Sequence, residues 1–318
     1  MTKRRSWHGL HKQSSPFGFG CWQISGAHDI DGKPHGWGNV DEGEAVEIIQ
    51  FAMENGITFF DTAQGYNFGK SERILGRAIR DLHQEVVVCT KIPLSLSEIS
   101  RSQITNEFIR KVEQSLDNLM CSTIDILLLH NPPDDIDWST FDFHRIEELV
   151  ESGTIGTFGV SAKGLDGAIN AAKHRIGSTI EWAFNLFERR PVEHIFPLIR
   201  KNNMNFIARS PLSRGLINTR YVIDNPNFDE NDFRSTLPNA WQNWVITQLR
   251  SLESRGIDAD HIVEYAFNFI RSYSEVTALI PGIKTMNQLK SYISIKNRDA
   301  RSFNYLKLKD LPKYYPEW

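Results

Sequence analysis

The sequence predicts an α/β protein, a single (β/α)8 barrel spanning residues 1–318, and three observations carry this reading. Eight short apolar runs alternate with helix-periodic segments, the pattern of parallel βαβ units. No linker or low-complexity stretch interrupts that alternation. The length of 318 residues suits one barrel of about 250 residues with insertions as well as it suits two domains of roughly 150. A doubly wound open sheet is the competing architecture. Its glycine fingerprint is incomplete, because Gly18-Phe-Gly20-Cys-Trp-Gln23 lacks the third glycine.

Taken in order, residues 17–24 form a glycine-rich first strand, and a long loop over 25–40 leads to a helix over 41–55. That helix places Ala45, Ile48, Ile49 and Ala52 on one apolar side. Asn55-Gly56 is a turn signal, and the β-branched and aromatic run 57–60 behind it reads as a short buried strand ending at Asp61. A polar loop carrying Tyr66 follows, then an amphipathic helix opening near Ser71 and Glu72. Residues 86–91 are the third strand, with Lys91 at its end, and 105–120 are a helix with Phe108, Val112, Leu116 and Leu119 at helical spacing. The fourth strand, 124–130, ends in His130. Beyond it come a helix over 141–152, a strand over 156–160, a helix over 165–174, a strand over 178–184, a helix over 192–202 and a strand over 206–208. Residues 210–237 hold Tyr221, Phe228 and Phe233 among Asn, Asp and Pro. Helices over 239–255 and 258–272, an eighth strand over 276–282 and a last helix over 285–295 complete the series.

Bulk composition excludes several classes of function. A net charge of -3 with 24% charged residues offers no basic stripe for nucleic acid. No apolar run approaches the ~20 residues that span a bilayer. Met1-Thr-Lys-Arg-Arg-Ser-Trp-His is basic but has no apolar run behind it, so it does not read as a secretory signal, and a reducing cytoplasm is expected. Cys21, Cys89 and Cys121 have no metal-ligand spacing, and no metal is expected. Oligomeric state leaves no mark on the sequence.

In a barrel of this kind the active site lies at the C-terminal strand ends. Asp61, Lys91 and His130 terminate consecutive strands there, each after a run too apolar to carry charge unpaired. Taken singly, each also fits a structural ion pair or a rim histidine. With Tyr66 on the loop above, the set acquires a chemical meaning. A lysine beside a phenol stabilises phenolate and lowers the tyrosine's pKa, and a carboxylate holds the lysine charged. The result is a general acid. Trp22, Trp37, Phe68 and Trp138 sit on strand-end loops and are candidate walls of a substrate pocket, whereas Trp241 and Trp244 on a late helix read as packing.

The chain resembles the aldo-keto reductase family over nearly its whole length. The resemblance lies in Gly20-Cys-Trp22-Gln, Gly56-Ile-Thr-Phe-Phe-Asp61-Thr-Ala with Tyr66, Gly69 and Ser71-Glu72, Lys91, Asp125-Ile-Leu-Leu-Leu-His130, and Gly159-Val-Ser161. It continues through Asn185-Leu, Ser210-Pro-Leu with Gly215-Leu, and Ile280-Pro-Gly282 with Lys284 and Gln288. It implies NADP(H) as cofactor and a small carbonyl or alcohol as substrate. It also implies Tyr66 as proton donor, Asp61 and Lys91 as its tuning pair and His130 as the residue orienting the carbonyl. Gly20, Trp22, Ser161, Glu181, Arg209, Pro211, Leu212, Gly215, Gly282, Lys284 and Gln288 would line the cofactor groove. The chain departs from the family pattern at Ala162, Glu181 and Arg209, where Asn, Gln and often an aromatic residue are usual, and at Tyr292, which replaces an Asn.

Two further patterns are weaker. Gly65-Tyr-Asn-Phe-Gly-Lys70-Ser71 is one residue short of a phosphate-binding loop. The run from His28 to His35 hints at a calcium loop but places Lys33 where an oxygen ligand belongs, so a polar lid is expected. The functional reading is an NADPH-dependent oxidoreductase that reduces an aldehyde or ketone, or oxidises the alcohol, by hydride transfer. A redox-neutral epimerase with bound NADP and a non-catalytic NADP-binding sensor or subunit are the alternatives.

Overall fold

The computed structural model describes residues 4–80, 85–298, 308 and 310–315. At its centre lie eight parallel strands: β1 (Phe19–Gly20), β2 (Phe59–Asp61), β3 (Val87–Ile92), β4 (Ile124–His130), β5 (Ile155–Ser161), β6 (Thr179–Ala183), β7 (Asn205–Arg209) and β8 (Val276–Ile280). Each pairs with the next in sequence. The two edges also meet, because Phe17 and Gly20 bridge in parallel to Leu279 and Gly282. Gly18 N donates to Leu279 O at 2.8 Å, and Gly20 N donates to Pro281 O at 2.9 Å. The sheet closes into the expected (β/α)8 barrel and leaves no free edge. A Cβ on Gly282 would fall 2.0 Å from the Gln23 amide, so a larger residue there would have to displace that side chain where the loop after β1 crosses the end of β8.

Both faces of the strands are buried, which is why they read as continuous apolar runs rather than alternating ones. Phe59, Val87, Cys89, Ile126, Leu128, Ile207, Ala278 and Ile280 fill the barrel interior together with Trp7. A second core lies between the strands and the surrounding helices. Ala45, Ile48, Ile49 and Ala52 of the helix Glu42–Glu54 reach it, as do Phe108, Val112 and Leu119 of the helix Asn106–Leu119. The base of the barrel is covered by an antiparallel hairpin, Arg5–Ser6 with Gln13–Ser14, which sets Trp7 4.7 Å from the Phe59 ring. Trp7 Nε1 donates to Ser14 Oγ at 2.8 Å, so the buried indole is satisfied.

Several elements differ from expectation for local reasons. The first strand shortens to Phe19–Gly20, because residues Gln23–Ser25 turn into a 3-10 helix. The helix expected over 192–202 is two pieces, Pro191–His194 and Phe196–Asn202, with Pro197 at the start of the second. A proline there lacks the N–H that a continuous helix needs. The expected loop over 25–40 contains an antiparallel hairpin, His28–Ile30 with Lys33–His35, turning at Asp31 (φ 55°) and Gly32 (φ 74°). Asp-Gly is a strong hairpin turn. Among the described residues no helix is long and apolar enough to cross a membrane.

Candidate active site

Asp61 is the last residue of β2, where its backbone pairs with Gly20 on one side and Cys89 on the other. Its neighbour on the barrel wall is β3, which directs Lys91 inward. Lys91 is fully buried, with a relative exposure of 0%. Its ammonium donates to Asp61 Oδ1 at 2.5 Å, to Thr62 O at 2.9 Å and to Tyr66 Oη at 3.4 Å. Tyr66 is carried back over the strand end by a turn, in which Tyr66 N donates to Ala63 O and Asn67 and Phe68 take left-handed backbone angles. Trp22 stacks on the Tyr66 ring with centroids 5.8 Å apart, and the His130 ring meets it edge-on at 6.1 Å. The four residues expected to act together are therefore in one place.

Their electrostatics correct one expectation. Burial pushes the Tyr66 phenol above its usual pKa against the pull of Lys91, and the neighbouring acids Asp61 and Glu181 act in the same direction as burial. Tyr66 is therefore held firmly protonated instead of being primed to ionise. For Lys91 burial acts downward, but Asp61 and Glu181 more than offset it and the ammonium keeps its proton. Burial, followed by the positive charges of Lys91 and Arg209, draws His130 down to about 3. At ordinary pH it is a neutral imidazole, with one ring N–H to donate.

Asp61, Tyr66 and His130 sit at the floor of a cavity of about 750 Å³ at the C-terminal end of the barrel, with Lys91 buried beneath them. Gly20, Trp22, Ser161, Glu181, Arg209, Pro211, Leu212, Gly215, Gly282, Lys284 and Gln288 all line it, as does Trp37. Two expected pocket walls lie elsewhere. Trp138 is buried beneath a 3-10 turn against Phe141 and Phe143, with centroids at 5.5 and 5.7 Å, and packs in the outer core. Phe68 is turned outward by its left-handed backbone, is 72% exposed and meets the His28 ring edge-on at 5.6 Å. Phe233 takes the place expected of them, with its ring 4.8 Å from both Trp22 and Trp37. His28 and His35 of the rim hairpin, and Arg214 and Arg234, also face the cavity. The Asp-Gly turn is the one sequence signal that could have placed that hairpin.

At the far end, Lys284 and Gln288 meet the start of the helix Met286–Asn297. The backbone N–H groups there are already engaged. Gln288 Oε1 accepts from Lys284 N and Thr285 N, and Thr285 Oγ1 accepts from Gln288 N, forming a capping box. The Lys284 ammonium donates to Trp37 O at 2.5 Å. Residues Ser210, Ser213, Arg214 and Gly215 all take positive φ, between 50° and 81°, and bend the loop after β7 around the cavity. A dinucleotide needs cations for its phosphates and polar groups for its ring amide. Arg214 and Lys284 supply the first, Arg234 being already paired with Asp232 at 2.6 Å, and Ser161 and Glu181 line the cavity as polar groups for the second. The residues present fit such a group.

The model of the aldo/keto reductase family matches residues 16–307. The aldo-keto reductase YhdN of Bacillus subtilis is 30% identical over 230 residues, covering 71% of this chain and 66% of its own. The uncharacterized oxidoreductase YqkF of the same organism is 26% identical over 286 residues, covering 86% and 90%. Among solved structures, the glycerol dehydrogenase AKR11B4 from Gluconobacter oxydans superposes with a TM-score of 0.74 at 24% identity, over 98% of this chain and 97% of that one. An aldo/keto reductase from Klebsiella pneumoniae in complex with NADP and acetate superposes with a TM-score of 0.66 at 20% identity, covering 95% and 93%. A match over nearly the whole sequence, on a barrel whose strand ends carry these side chains, means that the chain belongs to the aldo/keto reductase family.

Proposed function

We propose that this oxidoreductase uses NADP(H) to reduce an aldehyde or ketone, or to oxidise the corresponding alcohol. The observation that carries the reading is the Tyr66 hydroxyl, 3.4 Å from an ammonium that Asp61 holds at 2.5 Å, at the floor of the cavity. NADPH, when bound, supplies the hydride. Ser161 and Glu181 would hold its nicotinamide end, the 210–215 loop with Arg214 its phosphates, and Lys284, Gln288 and Tyr292 its adenosine end. His130, neutral at working pH, would donate its ring N–H to the substrate oxygen and fix its direction. As that oxygen gains negative charge it becomes basic enough to draw the proton from Tyr66, despite the phenol's raised pKa. Lys91 then faces a phenolate and stabilises it, while Asp61 keeps Lys91 charged and in line. The aromatic wall of Trp22, Trp37 and Phe233 keeps water from the reacting atoms and suits an apolar or aromatic carbonyl compound.

Incubation with NADPH and a panel of aldehydes and ketones, followed at the cofactor's absorbance, tests this reading. Turnover is expected, and Tyr66→Phe should reduce it by about 10²–10⁴-fold, the usual value of a positioned acid, while leaving cofactor binding near the parent's. A variant as active as the parent would remove Tyr66 from the role. Tight binding of cofactor without consumption would point instead to an epimerase or a sensor.

A further inference from the structure

The barrel floor contains one acid more than its lysine can neutralise. Glu181, from β6, is 1% exposed and places Oε2 3.5 Å from Lys91 Nζ, on the other side from Asp61. Lys91 has three N–H groups, and they meet Asp61, Thr62 O and Tyr66. Glu181 therefore feels the charge of Lys91 without receiving a hydrogen from it. Ser161 Oγ donates to Glu181 Oε1 at 3.0 Å. The other oxygen of each acid, Asp61 Oδ2 and Glu181 Oε2, is buried with no hydrogen-bond partner among the described residues. A carboxylate oxygen of each lies within 4.8 Å of the other and of Cys89 Sγ. Three such donors could suggest a metal site, but Lys91 already supplies the cation between the two acids.

Two ionised carboxylates against one ammonium leave net negative charge in a dry interior, with an oxygen of each acid lacking a hydrogen-bond partner. A single proton removes both problems, because it turns one acceptor into a donor and makes the cluster neutral. The surrounding groups are poor substitutes for that proton. The Cys89 thiol, whose pKa burial raises first, stands against the Asp61 carboxylate, but an S–H is only a weak donor and adds no positive charge. Cys21 is likewise a buried thiol, Tyr66 is protonated, and His130 is neutral. Arg209, the remaining nearby cation, donates to Ala162 O at 2.9 Å.

We propose that Asp61 and Glu181 share one proton, and that Glu181 is a positioning residue which, through Lys91, sets the charge that Tyr66 faces. The Asp61 carboxyl is accordingly raised well above its ordinary range, by burial first and by Glu181 second. With the proton in place Tyr66 faces a neutral cluster. As the pH rises through the raised pKa of Asp61 the proton is lost, the cluster turns negative and the phenol is held more tightly. The shared proton stands on the placement of the two acids around Lys91 and does not depend on the reaction, whereas its consequence for Tyr66 rests on the reductase reading.

Infrared spectra of the intact protein at neutral pH test the proton without cofactor or turnover. The parent is expected to show a carboxylic-acid C=O band that Glu181→Gln lacks. A contribution from the buried Glu72 cancels between the two proteins. The amide introduced by Glu181→Gln would still donate a hydrogen toward Asp61, so the variant should fold; Asp61→Asn removes the same proton and provides a second comparison. Spectra in which the parent matches both variants would overturn the proposal, whatever the enzyme reduces. In turnover, the parent's pH–rate profile should carry an alkaline inflection that Glu181→Gln loses, and coincident profiles would overturn the positioning role. Absence of turnover in the parent would instead count against the reductase reading and leave the spectral result standing.

Discussion

Lys91 shows how a fully buried charge is tolerated. It is ionised because the Asp61–Glu181 pair outweighs the cost of its burial, and losing one acid should not be equivalent to losing both. In Asp61→Asn, Glu181 can release its proton and become the counter-ion, so a loss of about 1–2 kcal/mol is expected, whereas Asp61→Asn with Glu181→Gln should cost about 3–5 kcal/mol. Urea melts of the single and double variants decide this. Equal losses would mean that Glu181 does not stand in for Asp61. His130 gives a pH prediction of opposite sign to that of a paired histidine. Its pKa falls from the ordinary 6.5 to about 3 on folding, so the unfolded chain binds the extra proton first. Its contribution to stability is present above pH 6.5 and is lost as the pH falls toward 3. His130→Asn should therefore flatten the melting temperature against pH across that interval, and an unchanged slope would place the acid sensitivity elsewhere. The sequence makes Asp61, Lys91 and His130 legible because each ends an apolar run. It does not show that Glu181 joins them, because β3 and β6 lie three strands apart and only barrel closure brings the two side chains across the interior.

Elements with a strong period can be read from the sequence, and elements made by pairing cannot. The helix Leu165–His174 and the strand Ile124–His130 have the limits their patterns suggest. The rim hairpin reads as a polar loop because strands of three residues carry too few side chains to show alternation. This hairpin and the Trp37 segment behind it form one wall of the cavity, tied to the end of β8 by the Lys284 ammonium on Trp37 O at 2.5 Å. One of its three hydrogens is used there, which leaves two for an anion. Lys284→Ala is expected to weaken NADPH by about 1–3 kcal/mol more than NADH, the scale of a charge-assisted hydrogen bond to the 2′-phosphate that NADH lacks. The variant should also hasten amide exchange over residues 26–40. Titration of both cofactors separates the two roles. Equal losses would show that Lys284 only ties the wall in place.

At the scale of the whole molecule, the cavity depends on a segment far from it in sequence. Arg189 gathers the chain end, its guanidinium donating to Leu308 O, Leu311 O and Pro312 O at 2.6–3.3 Å, while Arg189 N donates to Lys313 O at 2.6 Å. Beyond that anchor Tyr315 lies edge-on to Trp241 and Trp244, which explains why these two tryptophans pack rather than bind. Its hydroxyl sits 2.6 Å from Ser213 Oγ and 3.3 Å from Asn185 Nδ2, and the Asn185 amide in turn donates to Ser210 O at 3.0 Å. Ser210 and Ser213 are two of the residues that the loop after β7 holds in left-handed angles, which are unfavourable for non-glycine side chains and need outside support. No period or motif in the sequence joins residue 315 to residue 213, so this brace is not legible there. Tyr315→Phe keeps the ring and removes only the hydroxyl. It should weaken cofactor binding by about 0.5–1.5 kcal/mol, the net value of an intramolecular hydrogen bond, because part of the binding energy must then order the loop. Burial holds the Tyr315 hydroxyl up at about 12, so the brace should persist to alkaline pH and the difference between parent and variant should be the same at pH 6 and pH 9. Fluorescence titration of NADPH at both values tests this, and affinities equal to the parent's would show that the loop keeps its shape without the chain end.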